Sequence, residues 1–63
     1  EIFHRVMELP LKYRTVLALY YFQEMSTEEI ARVLGITEGN VRTRLCRGRA
    51  LLKRSLEEGK GDG

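Results

Sequence analysis

The sequence predicts an all-α fold: a four-helix, bundle-like domain that contains a helix-turn-helix. Three observations carry that expectation. Apolar residues recur three and four positions apart through most of the 63 residues, the spacing of a helix stripe rather than of a strand. Helix-start residues stand at Ser26 and Thr37, each ahead of such a stripe, with Gly35 between them. The one proline, Pro10, falls between two periodic stretches rather than inside one.

The first helix is read from Ile2, Phe3, Val6 and Met7. The chain begins inside this stripe, and so abrupt a start leads us to expect a piece of a longer protein. Pro10 marks the next boundary, since a helix's first turn has no use for the N–H that proline lacks. From Leu11 to about Gln23 the pattern is strongly helical. Leu9, Tyr13, Val16, Leu17 and Tyr20 share one face, while Leu11, Ala18, Leu19 and Phe22 lie opposite. A helix that is apolar all round is buried on two sides or docks a partner. Leu11, Leu19 and Phe22 are therefore expected in a protein interface, unless residues 2–7 cover them.

Ser26-Thr27-Glu28-Glu29 reads as a capping box, with Ser26 as N-cap and Glu29 reaching back to its N–H. Ile30, Val33 and Leu34 give the short helix that follows its apolar face. Gly35 stops it by supplying the left-handed conformation common at helix ends, and Thr37 is placed to cap the next helix. Helix, short turn with glycine, helix is the helix-turn-helix spacing.

The last helix, over residues 38–56, turns Val41, Leu45, Leu52 and Leu56 toward the core. Gly48 falls on the same stripe. A mid-helix glycine costs about 1 kcal/mol against alanine, so it is expected where another helix approaches closely. The opposite face carries Gly39, Asn40, Thr43, Cys46, Arg47, Ala50 and Arg54. Arg42 and Lys53 flank it on one side and Arg44 on the other. The helix-turn-helix domain is taken as residues 1–58. Residues 59–63, with no apolar anchor, are expected to form a flexible tail.

Sixty-three residues make one small domain. A single cysteine and a single histidine, Cys46 and His4, assemble neither a disulfide nor a metal site within the chain. A chain without disulfides suits a reducing cytoplasm. No apolar run approaches the roughly 18 residues of a membrane span. There is no Ser/His/Asp set, no carboxylate pair in apolar surroundings and no Gly-rich phosphate loop. The expectation is therefore a protein that is not an enzyme, with no cofactor and no small-molecule substrate.

The net charge is only +2, but six of the eleven Lys and Arg residues lie between 42 and 54, and no acid occurs from 39 to 56. A basic stripe confined to one segment is the footprint of a polyanion. The aliphatic stripe of that helix is needed for the core, which leaves no apolar face for a lipid surface. The major groove of B-DNA admits one α-helix, and the outward face supplies what it requires. Gly39 and Ala50 keep the surface low. Asn40 suits adenine or a phosphate, and Thr43 a thymine methyl or a phosphate oxygen. Arg42 or Arg47 suits guanine. Arg44, Arg49, Lys53 and Arg54 are better placed for phosphates, which set register without reading sequence. The preceding helix offers its N-terminus at Thr27 and Glu28, with Arg32 a turn later.

Three stretches together, Leu9-Pro10-Leu-Lys-Tyr13-Arg14-Thr-Val16-Leu17, Met25-Ser26-Thr-Glu-Glu29-Ile30-Ala31 and Leu34-Gly35-Ile36-Thr37-Glu38-Gly39-Asn40-Val41-Arg42-Thr43-Arg44-Leu45-Cys46-Arg47-Gly48-Arg49, resemble the C-terminal domain of bacterial extracytoplasmic-function sigma factors of the sigma-70 family. The resemblance runs over about residues 7–56. It implies the four-helix module that reads the promoter −35 element in double-stranded DNA. Base and backbone contacts would fall on Arg42, Thr43, Cys46 and Arg47, and phosphate contacts on Thr27 and Glu28. It also implies core RNA polymerase as a partner, through its β flap, and for many members an anti-sigma factor. The chain departs from the pattern at Cys46, where an aromatic residue or His is frequent, and at Gly48, where Ala is commoner. Two other readings stand beside it: the effector domain of a response regulator or quorum-sensing activator, and a protein-interaction module that never touches DNA.

Overall fold

The computed structural model describes the backbone of residues 2–62 and the side chains of residues 3–58. The elements are α1 (Ile2–Met7), α2 (Leu11–Leu17), a π-helical turn (Ala18–Phe22), α3 (Thr27–Leu34) and α4 (Glu38–Asp62). No strand occurs among the described residues.

Pro10 is extended, at φ −53° and ψ 148°, so it stands just outside α2 as its N-cap rather than in the first turn. Its carbonyl starts the helix by accepting from the N–H groups of Tyr13 and Arg14. Arg14 reaches back one element, and its Nη1 donates to the Met7 carbonyl at 3.1 Å. Carbonyls at a helix C-terminus lack partners within the helix, and Arg14 gives α1 one. The Leu9-Pro10…Arg14 spacing thus joins two helices at a tight corner.

The single helix expected over 11–23 changes its winding at Ala18. There the chain enters the π-helical turn, closed by the Gln23 N–H on the Ala18 carbonyl at 3.2 Å. A π turn holds more residues than an α turn, so side chains beyond Leu17 lag behind the helical schedule. Leu19, assigned to the outer face, is instead half-buried against the core. Glu24 then takes φ 55°, a left-handed conformation uncommon for a residue with a Cβ, and turns the chain toward α3.

The core is Val6, Leu9, Val16, Leu17, Ile30, Val41 and Leu45, so every α-helix contributes to it. Two assignments from the apolar pattern do not hold. Val33 is 65% exposed, because Ile30, Ala31 and Leu34 already make the contact with the core and Val33 is left on the outer side of α3. Leu56 is 38% exposed, since it lines a groove with Val6, Phe22 and Leu52 that α1 leaves open. Gly48 behaves as expected: a Cβ there would lie 3.0 Å from Leu17 Cδ1 and 3.3 Å from Tyr13 Cβ. α2 and α4 cross at this glycine.

The α4 backbone continues to Asp62, past the Leu56 at which the apolar stripe ends. Gly63 and the side chains of 59–62, where the tail was placed, lie outside the described residues. No helix among the described residues is long and apolar enough to cross a membrane.

Candidate nucleic-acid interface

The helix-turn-helix is built by local signals that the structure satisfies one by one. Ser26 Oγ accepts from the Glu29 N–H at 3.1 Å, and Glu29 Oε1 accepts from the Ser26 N–H at 2.9 Å. Gly35 takes φ 70°, and its N–H returns to the Ala31 carbonyl at 2.9 Å. Thr37 Oγ1 accepts from the Asn40 N–H at 3.1 Å and so caps α4. These bonds fix where α3 ends and where α4 begins. Ile30 of α3 and Val41 and Leu45 of α4 then lock the pair from inside, all nearly inaccessible to solvent.

With that face inward, α4 presents Gly39, Asn40, Arg42, Thr43, Cys46, Arg47 and Ala50 as exposed residues. Arg42, Thr43 and Arg47 are thus neither scattered nor hidden. Glu28 and Arg32 of α3 are exposed as well, and Thr27 is half-buried. Cys46 is a free thiol on the outer face.

The remaining basic residues separate to different sides of α4. Arg44 is half-buried beside Pro10, Leu11, Thr15, Leu34 and Ile36. Arg49 donates from Nη1 to Tyr21 Oη at 2.9 Å, which ties α4 to the π-helical turn. Lys53 is exposed beside Phe22 and Leu56. Arg54 is exposed next to Arg5, Glu8 and Glu58, where Arg5 donates from Nη1 to Ser55 Oγ at 3.2 Å. These four, grouped above by their suitability for phosphates, thus stand in different surroundings around the helix.

One participant was not singled out from the sequence. Glu38 Oε2 accepts from Thr27 Oγ1 at 2.6 Å and from Arg42 Nη2 at 2.9 Å. The Glu38–Arg42 half is an i, i+4 pair and was legible. The bond to Thr27 depends on how α3 docks on α4, which no spacing announces.

A second surface lies farther along α4, where Arg49 to Leu56 meet α1 and the π-helical turn. Val6, Tyr21, Phe22, Leu52 and Leu56 line an apolar groove of about 530 Å³, with Arg49 and Lys53 on its lining. Phe22 is 40% exposed and its ring centroid is 5.4 Å from that of Phe3, so α1 covers it only in part. Leu11, 66% exposed, belongs to a separate surface with Arg44. The three residues expected in one protein interface are therefore not contiguous, and Leu19 packs inward.

Comparison with known proteins places these features in a family. The family described as Sigma-70, region 4 matches residues 1–52. The chain is 44% identical over 54 residues to the ECF RNA polymerase sigma factor SigW of Bacillus subtilis (strain 168), covering 86% of this chain and 29% of that protein. It is 38% identical over 55 residues to the ECF RNA polymerase sigma factor SigM of the same organism, covering 87% and 34%. RNA polymerase sigma factor SigV, also from that organism, is 39% identical over 49 residues, covering 78% and 30%. The chain thus spans about a third of the length of these relatives.

Proposed function

The chain belongs to the Sigma-70, region 4 family, and we propose that it recognises the promoter −35 element in the major groove, as part of a sigma factor directing RNA polymerase to initiate transcription. One observation carries this reading: Asn40, Arg42, Thr43, Cys46 and Arg47 lie exposed along one face of α4, while Val41 and Leu45 anchor its other face in the core. A major groove needs that arrangement, a helix held firmly from behind with short side chains and guanidiniums in front. Arg42 and Arg47 have the fork geometry for guanine, and Asn40 and Thr43 have the reach for adenine, thymine or phosphate. The thiol of Cys46 offers an apolar contact between them.

Phosphate contacts come from the residues around this face: Glu28 through the α3 N-terminus, Arg32, Arg44, Lys53 and Arg54. Thr27 and Arg49 are already engaged, by Glu38 and Tyr21. Their contact with a phosphate requires exchanging those bonds. The role is binding rather than catalysis, in the cytoplasm, where promoters and polymerase meet.

For the polymerase, the apolar groove at Phe22, Leu52 and Leu56 is the surface we assign to the β flap. An anti-sigma factor that covered the same groove would keep the two apart. Leu11 stays outside this surface.

Selection from a random pool of duplexes tests the DNA reading. The chain should enrich one short, asymmetric sequence, and its affinity should fall as salt rises. Uniform recovery of all duplexes, or enrichment of a palindrome by a dimer, would overturn it.

A further inference from the structure

We infer that Glu38 is the positioning residue of the DNA-reading face: its carboxylate holds Arg42 and the start of α3 in the arrangement that meets the groove. The inference rests on the DNA reading proposed above. A single oxygen, Oε2, accepts both the Thr27 hydroxyl at 2.6 Å and the Arg42 guanidinium at 2.9 Å. Thr27 is the first residue of α3, and Glu38 is the first residue of α4. Arg42 follows one turn later. One atom thus joins both helices of the helix-turn-helix at the ends that approach DNA.

An acid at this place has a cost. Glu38 is the one carboxylate between Glu29 and Glu57, and it sits among the residues that meet a polyanion. Turned to solvent, it would only weaken the attraction to phosphates. It is instead drawn in between two donors, with its side chain 35% exposed against 67% for Arg42. Hydrogen bonds to an ionised acceptor are the stronger kind, and they resist the rotation that an arginine otherwise has in abundance. Fixing a side chain before binding spares that ordering when the complex forms. Glu38 therefore lowers affinity for any duplex and raises discrimination for the right one.

Two substitutions separate these effects. Glu38→Gln and Glu38→Ala both remove the charge, but only glutamine keeps an oxygen acceptor for Thr27 and Arg42. The readout is the ratio of affinities for the duplex selected by the unaltered chain and a scrambled duplex, each measured by titration at one salt concentration. Both variants should bind the scrambled duplex more tightly. The alanine variant should lose about five- to tenfold of the ratio, the fraction of one good base contact that depends on Arg42 being held. The glutamine variant should stay within about twofold of the unaltered ratio.

Equal ratios for the two variants would reduce Glu38 to a charge and overturn the inference. A parallel loss on both duplexes would make it merely structural and overturn it as well. Should Glu38→Ala fail to fold, Thr27→Val removes one arm alone and should lower the ratio in the same direction; an unchanged ratio would count against the clamp. If the unaltered chain prefers no duplex, the DNA reading fails while the clamp remains measurable. NMR of the Arg42 guanidinium should then show hindered rotation that Glu38→Ala releases, and free rotation in the unaltered chain would end the proposal.

Discussion

Leu17 Cδ1 stands 3.0 Å from the place a Cβ would occupy at Gly48. α4 is thus seated directly on α2, with one missing side chain setting the separation.

Replacing Gly48 tests this crossing. Alanine gains about 1 kcal/mol of helix propensity and meets a tight contact costing a similar amount, so Gly48→Ala should lie within about 1 kcal/mol of the unaltered chain. Gly48→Leu adds far more volume against the inaccessible Leu17 and should lose more than about 2 kcal/mol in urea unfolding. Equal stability of the two variants would mean that the helices are free to separate.

Capping of the two helices should be separately measurable. Ser26→Ala removes the acceptor for the Glu29 N–H, and Thr37→Ala the acceptor for the Asn40 N–H. Each should cost about 1 kcal/mol of unfolding free energy. A loss near zero for Thr37→Ala would mean that solvent replaces the cap at no cost.

Reading and positioning should divide between Arg47 and Lys53. Arg47→Ala should cost roughly 1–3 kcal/mol on the preferred duplex and relax selection at one position. Lys53→Ala should weaken all duplexes alike and reduce the salt slope by about 1. Indistinguishable effects in paired titrations would refute the division.

Salt dependence reports how many cations meet the backbone. With about four phosphates neutralised, log K against log salt should slope near −3.6. A slope near zero over the accessible range would show that the basic residues of α4 do not meet DNA.

Docking of polymerase should be lost independently of DNA binding. Phe22→Asp places a charge in the apolar groove and should abolish capture of the isolated β flap, while the ratio of affinities for the preferred and a scrambled duplex stays unchanged. Leu11→Asp, on a different surface, should leave flap capture intact. Leu19 is unsuited to this test because it packs against the core. Flap capture by Phe22→Asp at the unaltered level would refute the assignment of the groove.

Local chemistry made much of the molecule legible before any coordinates. The capping box at Ser26, the left-handed Gly35, the Thr37 cap and the inward run of Val41 and Leu45 each depend on residues a few positions apart. The outward run from Asn40 to Arg47 follows as the other side of the same helix. Winding was not legible beyond Leu17, because a π-helical turn displaces every side chain after it and Leu19 changes sides.

Sequence spacing alone established that a helix begins just after its cap, Thr37, with a basic face and an aliphatic face, since periodicity and capping act within one or two turns. Tertiary packing decided which arginines belong to that face. Arg49 went to Tyr21, Arg44 to the α2 side, and Arg42 to the carboxylate that Thr27 shares. The Glu38–Arg42 pair spans a single turn of α4 itself, whereas Tyr21, the α2 side and Thr27 all lie outside α4. Only the docking of one helix on another determines which α4 side chain meets them.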